Sequence, residues 1–399
     1  MTNGPTLTTE GVKRLRVGLR RITRQDSFHF FGYYDKCPWN ASGRYVLAKQ
    51  ISFCDRQPRP GEGLAIGMID LQDNDRFIEL DQTAAWSWQQ GTMLQWLASA
   101  PERLIIYNTV DGDHYAGVIR DVHSGETQTL PRSIYAVSRD GTQAVGLNFD
   151  RVNRLRPGYG YCALPEEYPD DPAPQQAGIY HIDLERSESR LIVSLADLAA
   201  HAPDERFADQ GDHWVNHLEF NPSGTRFLFL HRWWRSGRSH STRLYTARPD
   251  GADRRLVLDS DHISHFCWRD DDTLLVWAKH DRHRDEKNYL LVDAMSGRQQ
   301  VVGDGVLTVD GHCTFSPDGR WILTDTYPNA QSYRTLILYR VADGQRFDLG
   351  DFYSQPHLDG PFRCDLHPRF NRDGSAVCID SSHEGGRQVY VLDVRPIVT

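Results

Sequence analysis

The sequence predicts an all-β fold, one seven-bladed β-propeller spanning residues 1–399, and three observations carry that prediction. A tight turn between an apolar anchor and an alternating strand recurs along the chain, a second strand signature recurs equally often, and the N-terminal segment offers a strand able to close the ring.

The turn recurs as "CPWNASGRYVLA" (37–48), "YAVSRDGTQAVGL" (135–147), "LEFNPSGTRFLFL" (218–230), "CTFSPDGRWILT" (313–324) and "PRFNRDGSAVCI" (368–379). Proline or a polar residue presets the turn, and glycine takes the positive φ that other residues resist. Two degenerate copies, "QWLASAPERLIIY" (95–107) and "CWRDDDTLLVWA" (267–278), complete a set of seven. The second signature is a short strand that usually runs into a polar turn, from "AIGMIDLQDN" in the first repeat to "QVYVLDV" in the last. Blades therefore begin near 28, 93, 133, 214, 262, 310 and 363. Too little chain follows "QVYVLDV" for a fourth strand, so residues 12–23 are expected to complete blade seven and cover its edge.

A net charge of -9 argues against nucleic acid or an anionic membrane as the main partner. No apolar run approaches a membrane span and the N-terminus lacks the core of a secretory signal, so a cytoplasmic location is expected. Seven scattered cysteines read as reduced thiols. No P-loop, Rossmann fingerprint, GxSxG elbow, HExxH or CxxC pair occurs.

In a propeller the first strand of each blade lines the channel. Counted from the anchors Trp39, Trp96, Val137, Phe220, Trp268, Phe315 and Phe370, the residue three positions earlier is Lys36, Met93, Ile134, His217, His265, His312 and His367. Four consecutive blades thus carry histidine at one position. Converging imidazoles suit a divalent ion, zinc or manganese, with Cys267, Cys313, Cys364 and Asp365 as alternates in the same strands. Neighbouring residues on a strand face opposite ways, so His312 rather than Cys313 is the expected ligand.

Twelve residues after the anchors stand Asn108, Arg232 and Tyr327, with His383 beside Ser382. His114 and Tyr135 fall nearby by the same sorting. The insertions 150–176 and 194–214 are long enough to be lids or binding walls, and Tyr159, Tyr161, Arg154, Arg156 and Trp233 supply aromatic planes and cations for a polyhydroxylated anion.

These residues resemble the seven-bladed propeller polysaccharide lyases, among them oligogalacturonate lyase and the ulvan lyases. The resemblance implies a metal on His217, His265, His312 and His367, and catalytic roles for Asn108, His114, Tyr135 and Arg232. Substrate contacts would come from Tyr159, Tyr161, Asn216, Trp233, Tyr327 and His383. Tyr135 stands where such lyases often have histidine, and Asn216 where a catalytic tyrosine is expected. The expected activity is β-elimination from an acidic, uronate-containing oligosaccharide. Two alternatives are a non-catalytic binding propeller and a metal-dependent glycoside hydrolase using Asp35, Asp212 or Asp365.

Overall fold

Each anchor ends or continues the first strand of its blade and faces a fixed partner on the second. The pairs are Trp39–Val46, Trp96–Ile105, Val137–Ala144, Phe220–Phe227, Trp268–Leu274, Phe315–Ile322 and Phe370–Val377. Where the partner lies seven residues on, the turn repeats visibly in the sequence; the two degenerate copies are those where it lies nine (Trp96) or six (Trp268) residues on. Most anchors are buried between blades, and burying each large ring contributes about 1.5–3 kcal/mol.

The structure is a computed structural model that describes residues 6–9, 12–14, 17–201, 211–234, 240–280 and 283–399. It is a seven-bladed β-propeller, each blade built on four antiparallel strands. Blade one comprises Phe28–Phe30, Tyr45–Ile51, Leu64–Asp70 and Arg76–Thr83, and blades two to six repeat that order. Blade seven takes Arg369–Phe370, Ala376–Ser381 and Gln388–Asp393 from the end of the chain and Leu19–Arg21 from its beginning. Leu19 lies opposite Leu392, so the expected closing strand is formed by the last part of the 12–23 segment. Val12–Arg14 instead runs parallel to the outer strand of blade six, with Val12 opposite Arg346. Apolar alternation marks a segment as strand-forming without selecting which of two adjacent edges receives it.

The remaining insertions are local. Phe149–Leu155 is a helix after the second strand of blade three, and Leu195–Ala200 is a helix capped by Ser194, whose hydroxyl accepts from the Asp197 amide. Residues 202–210 of the second expected wall lie outside the described residues. All seven cysteines are free. No helix among the described residues is long and apolar enough to cross a membrane.

Candidate functional site

The floor of the site is the segment Phe31–Tyr34, which crosses the channel ahead of the blade-one anchor. Asp380 accepts from the Phe31 and Gly32 amides at 3.0 and 3.2 Å, and Arg369 donates to the Tyr33 carbonyl at 3.0 Å. Gly32 has φ 120°, and a Cβ there would stand 3.0 Å from the Gln90 carbonyl oxygen. This close approach puts Tyr33 and Tyr34, both buried, against the channel histidines. Tyr33 stacks on His217 at 5.0 Å and meets His367 edge-on at 5.2 Å, while Tyr34 lies 5.3 Å from His312.

The four histidines are buried but divide into two groups. His265, His312 and His367 form a row, with ring centroids 4.2 Å and 4.4 Å apart. Asp365 joins this row: ligand atoms of His312, Asp365 and His367 all lie within 4.8 Å of one another. The His312 Nδ1–H donates to Asp325 at 2.8 Å, which turns Nε2 inward as an acceptor. The Nε2 atoms of His312 and His367 are buried without a hydrogen-bond partner. A carboxylate behind an imidazole whose other nitrogen is vacant is the arrangement that orients metal ligands, and this donor set fits a divalent cation. Burial, then the neighbouring His312, pushes the His367 pKa well below its usual value, which keeps the ring neutral. Asp365 is held at about 2: its burial works upward, but Arg363 and Arg334 outweigh it. Both arginines contact the carboxylate at 2.8 Å.

His217 is a separate unit and corrects the expectation of a four-histidine ion site. Its Nε2 is 3.3 Å from the Tyr33 hydroxyl and its Nδ1 is 3.2 Å from that of Tyr135. Its backbone has φ 54° beside a bulge in the first strand of blade four, a left-handed conformation shared by His367 (φ 42°) but not by His265 or His312. A histidine in the left-handed region is a strained residue, of the kind that clusters at functional sites. Burial, then Arg232, lowers its pKa well below the usual value.

Arg232 ends in the same place. It is 4% exposed, one Nη donates to the Ile263 carbonyl at 3.3 Å, and its Nε and other Nη have no partner. Burial, then Arg156, lowers its pKa to about 10. Tyr159 completes the wall. Gly158 lets its segment approach the 360–363 turn, since a Cβ there would be 2.4 Å from the Pro361 carbonyl oxygen. Arg363 therefore donates to the Tyr159 hydroxyl at 2.9 Å, and the Arg156 guanidinium lies 5.0 Å over its ring. Burial works upward on that hydroxyl, but the Arg363 and Arg156 charges bring its pKa below the ordinary value. Tyr33, Tyr135 and Tyr327 are instead raised well above it, chiefly by burial.

Of the sequence-predicted residues, Tyr135, Arg232, Tyr159, Tyr327, His217, His265, His312 and His367 come together. Tyr327 lies 6.1 Å from both His265 and His312. Asn216, fully buried with both amide atoms unpartnered, adjoins His217 in sequence. The others stand apart. Asn108 is consumed as a pin between blades two and three: its amide nitrogen donates to the Ile134 carbonyl at 2.7 Å and to Tyr161 at 2.9 Å, and its oxygen accepts from the Ile134 amide at 2.8 Å. Asn108→Ala is expected to lower stability by about 2–3 kcal/mol through the orphaned Ile134 groups, read as a shift of the urea midpoint at constant slope. Tyr161, stacked on Phe149 at 4.0 Å, belongs to the same pin.

His114 is an exposed residue at the outer end of a hairpin, beside Asp113. Trp233 packs fully buried against His213 and His231. His383 is held by Ser381 at 2.8 Å and packs on Tyr390. Arg154 is committed to Glu166 and to Asp212, the latter at 2.7 Å, in a brace across the 150–176 insertion. Asp35 pairs with Lys36 at 2.7 Å, Asp212 with Arg154, and Asp365 with two arginines, so none of the three acids considered for hydrolysis is unpaired. Cys313 is fully buried in the layer between blades five and six with Cys267, away from the ion row.

Sequence reasoning passed over Tyr33, Tyr34, Arg334, Arg363 and Gln90, whose side-chain amide donates to the Tyr135 hydroxyl. Asp365 entered only as an alternate ligand, because strand alternation does not fix its direction relative to His367, whose backbone has φ 42° just before the first strand of blade seven.

No protein-family model matches the chain, and no curated protein matches it by sequence. Solved structures do. Oligogalacturonate lyase from Vibrio parahaemolyticus is 15% identical with TM-score 0.67, covering 95% of this chain and 94% of that one. An oligogalacturonate lyase in complex with manganese is 16% identical with TM-score 0.66, covering 94% and 93%. The β-propeller domain of the trilobed protease from Pyrococcus furiosus is 11% identical with TM-score 0.52, covering 92% and 96%. At such identities the likeness is one of fold.

Proposed function

We propose that the protein is a carbon–oxygen lyase that cleaves uronate-containing oligosaccharides by β-elimination, with a divalent cation, zinc or manganese, held by His312, Asp365 and His367. Arg232 carries this reading. Leaving a guanidinium buried with Nε and one Nη unpartnered costs several kcal/mol, so its place beside His217 and Arg156 favours an anion that arrives with the ligand. A neutral sugar would leave that cost uncompensated, while a uronate carboxylate accepts charge-assisted hydrogen bonds from the guanidinium.

The chemistry follows from the same groups. The C5 proton of a uronate becomes removable when the adjacent carboxylate is neutralised, which Arg232 does by charge-assisted donation. Tyr159, lowered by two flanking guanidinium groups, takes that proton. The C5–H electron pair becomes the C4=C5 double bond as the C4–O bond breaks. The departing oxygen receives a proton from Tyr135, whose raised pKa keeps it a donor and whose hydroxyl is oriented by His217. A cation bound at the row supplies further Lewis-acid neutralisation of substrate carboxylate. Asn216 offers a donor and an acceptor to a sugar hydroxyl.

The test is incubation with a panel of galacturonate, glucuronate and mannuronate oligosaccharides in the presence of manganese or zinc. The expected result is the ultraviolet absorbance of the conjugated unsaturated uronate. Cleavage without that chromophore, or no cleavage across the panel, would overturn the reading.

A further inference from the structure

The end of the channel opposite the histidines holds a second cavity, of about 300 Å³, that plays no part in the reaction above. It lies among the tight turns. Arg139 occupies the second position of the Ser138–Gly141 turn and Arg372 the same position of the Asn371–Gly374 turn, while blades four and six have proline there. Lys36 and Arg369 also line it, giving four cations from blades one, three and seven. The single acid in the lining, Asp35, is already paired with Lys36 at 2.7 Å, and Arg369 is paired with Asp380 at 2.9 Å. Neither Arg139 nor Arg372 is paired with a carboxylate among the described residues. The Arg372 Nε donates to the Trp39 carbonyl at 3.0 Å, which fixes its guanidinium at the rim with its other donors free. In a chain of net charge -9, two unpaired arginines converging on one concavity are a focused positive site.

Three aromatic rings also line it, beside Cys37, Thr314, Pro317 and Asn371. Phe315, the half-buried anchor of blade six, offers accessible ring surface, with the buried rings of Phe370 and Tyr34 behind it. Tyr34 also closes the cavity off from the reaction side: its hydroxyl donates to the Phe266 carbonyl at 2.8 Å and accepts from the Phe266 amide at 3.1 Å, and its ring faces His312.

We propose that this cavity binds a phosphate monoester carrying a flat organic group, with Arg139 and Arg372 taking the dianion and the aromatic anchors taking the group. Guanidinium forks match phosphate oxygens in charge and geometry, and the rings contribute by burial of apolar surface.

Isothermal titration with phenyl phosphate, inorganic phosphate and phenol tests this. Phenyl phosphate is expected to bind at least about tenfold more tightly than inorganic phosphate, with phenol weaker than either. Arg139→Ala/Arg372→Ala, two exposed turn substitutions of which the second removes one hydrogen bond to the Trp39 carbonyl, is expected to weaken phenyl phosphate at least about tenfold while leaving the urea midpoint close to that of the wild type. Arg232→Ala is expected to bind it as the wild type does. Absence of binding, equal affinity in the double variant, or loss in Arg232→Ala, which would place the anion on the reaction side, each overturns the proposal.

Discussion

Arg232→Ala is expected to lower kcat/KM on a cleavable uronate substrate by about a thousandfold, the scale of removing one preorganised donor from a developing anion. The loss should fall on kcat as much as on KM, because neutralisation of the carboxylate matters most as C5 gives up its proton. Arg232→Lys should recover little, since an ammonium cannot reproduce the two-pronged donation. Stability should move the other way. Arg232→Met removes a buried charge whose Nε and one Nη have no partner and retains the volume, so its urea midpoint is expected at or above that of the wild type. A variant that unfolds more easily while turning over substrate normally would assign Arg232 to the architecture and remove the basis for a uronate.

The second large effect concerns the ion row. His312→Ala is expected to abolish stoichiometric manganese or zinc, measured by elemental analysis after dialysis, and to reduce turnover by more than about a hundredfold. Asp325→Asn provides a graded companion. It leaves the ring in place but weakens its orientation, and metal affinity is expected to fall about 10–100-fold. Far-ultraviolet circular dichroism should be unchanged in Asp325→Asn. Full metal content in His312→Ala would show that the cation is held elsewhere and that the row only packs the channel.

The propeller was legible because its architecture repeats a physical necessity. Every blade must reverse its first strand, so a turn with glycine follows Trp39, Val137, Phe220, Phe315 and Phe370 at the same interval. The site was legible where it inherits that repetition, as His265, His312 and His367 do. It was illegible where the candidate site departs from the repeat. Tyr33 precedes an anchor by six residues and lies in a segment that crosses the channel, held by Asp380 from another blade. Arg363 reaches Tyr159 only because an insertion folds back onto it. Asn108 and His114 were misassigned for a related reason. Position along a strand locates a residue near the channel mouth, but it does not say whether the side chain points across the mouth, into the neighbouring blade or out to water.

Closure of blade seven sets an order on the birth of the molecule. Leu19–Arg21 is synthesised long before its partner, Gln388–Asp393. Joining chain ends separated by roughly 370 residues costs on the order of 5 kcal/mol in loop entropy if it happens alone. It becomes affordable once the intervening blades have stacked and carried the ends together. During translation the closing strand must therefore wait unpaired until the other three strands of blade seven have been made.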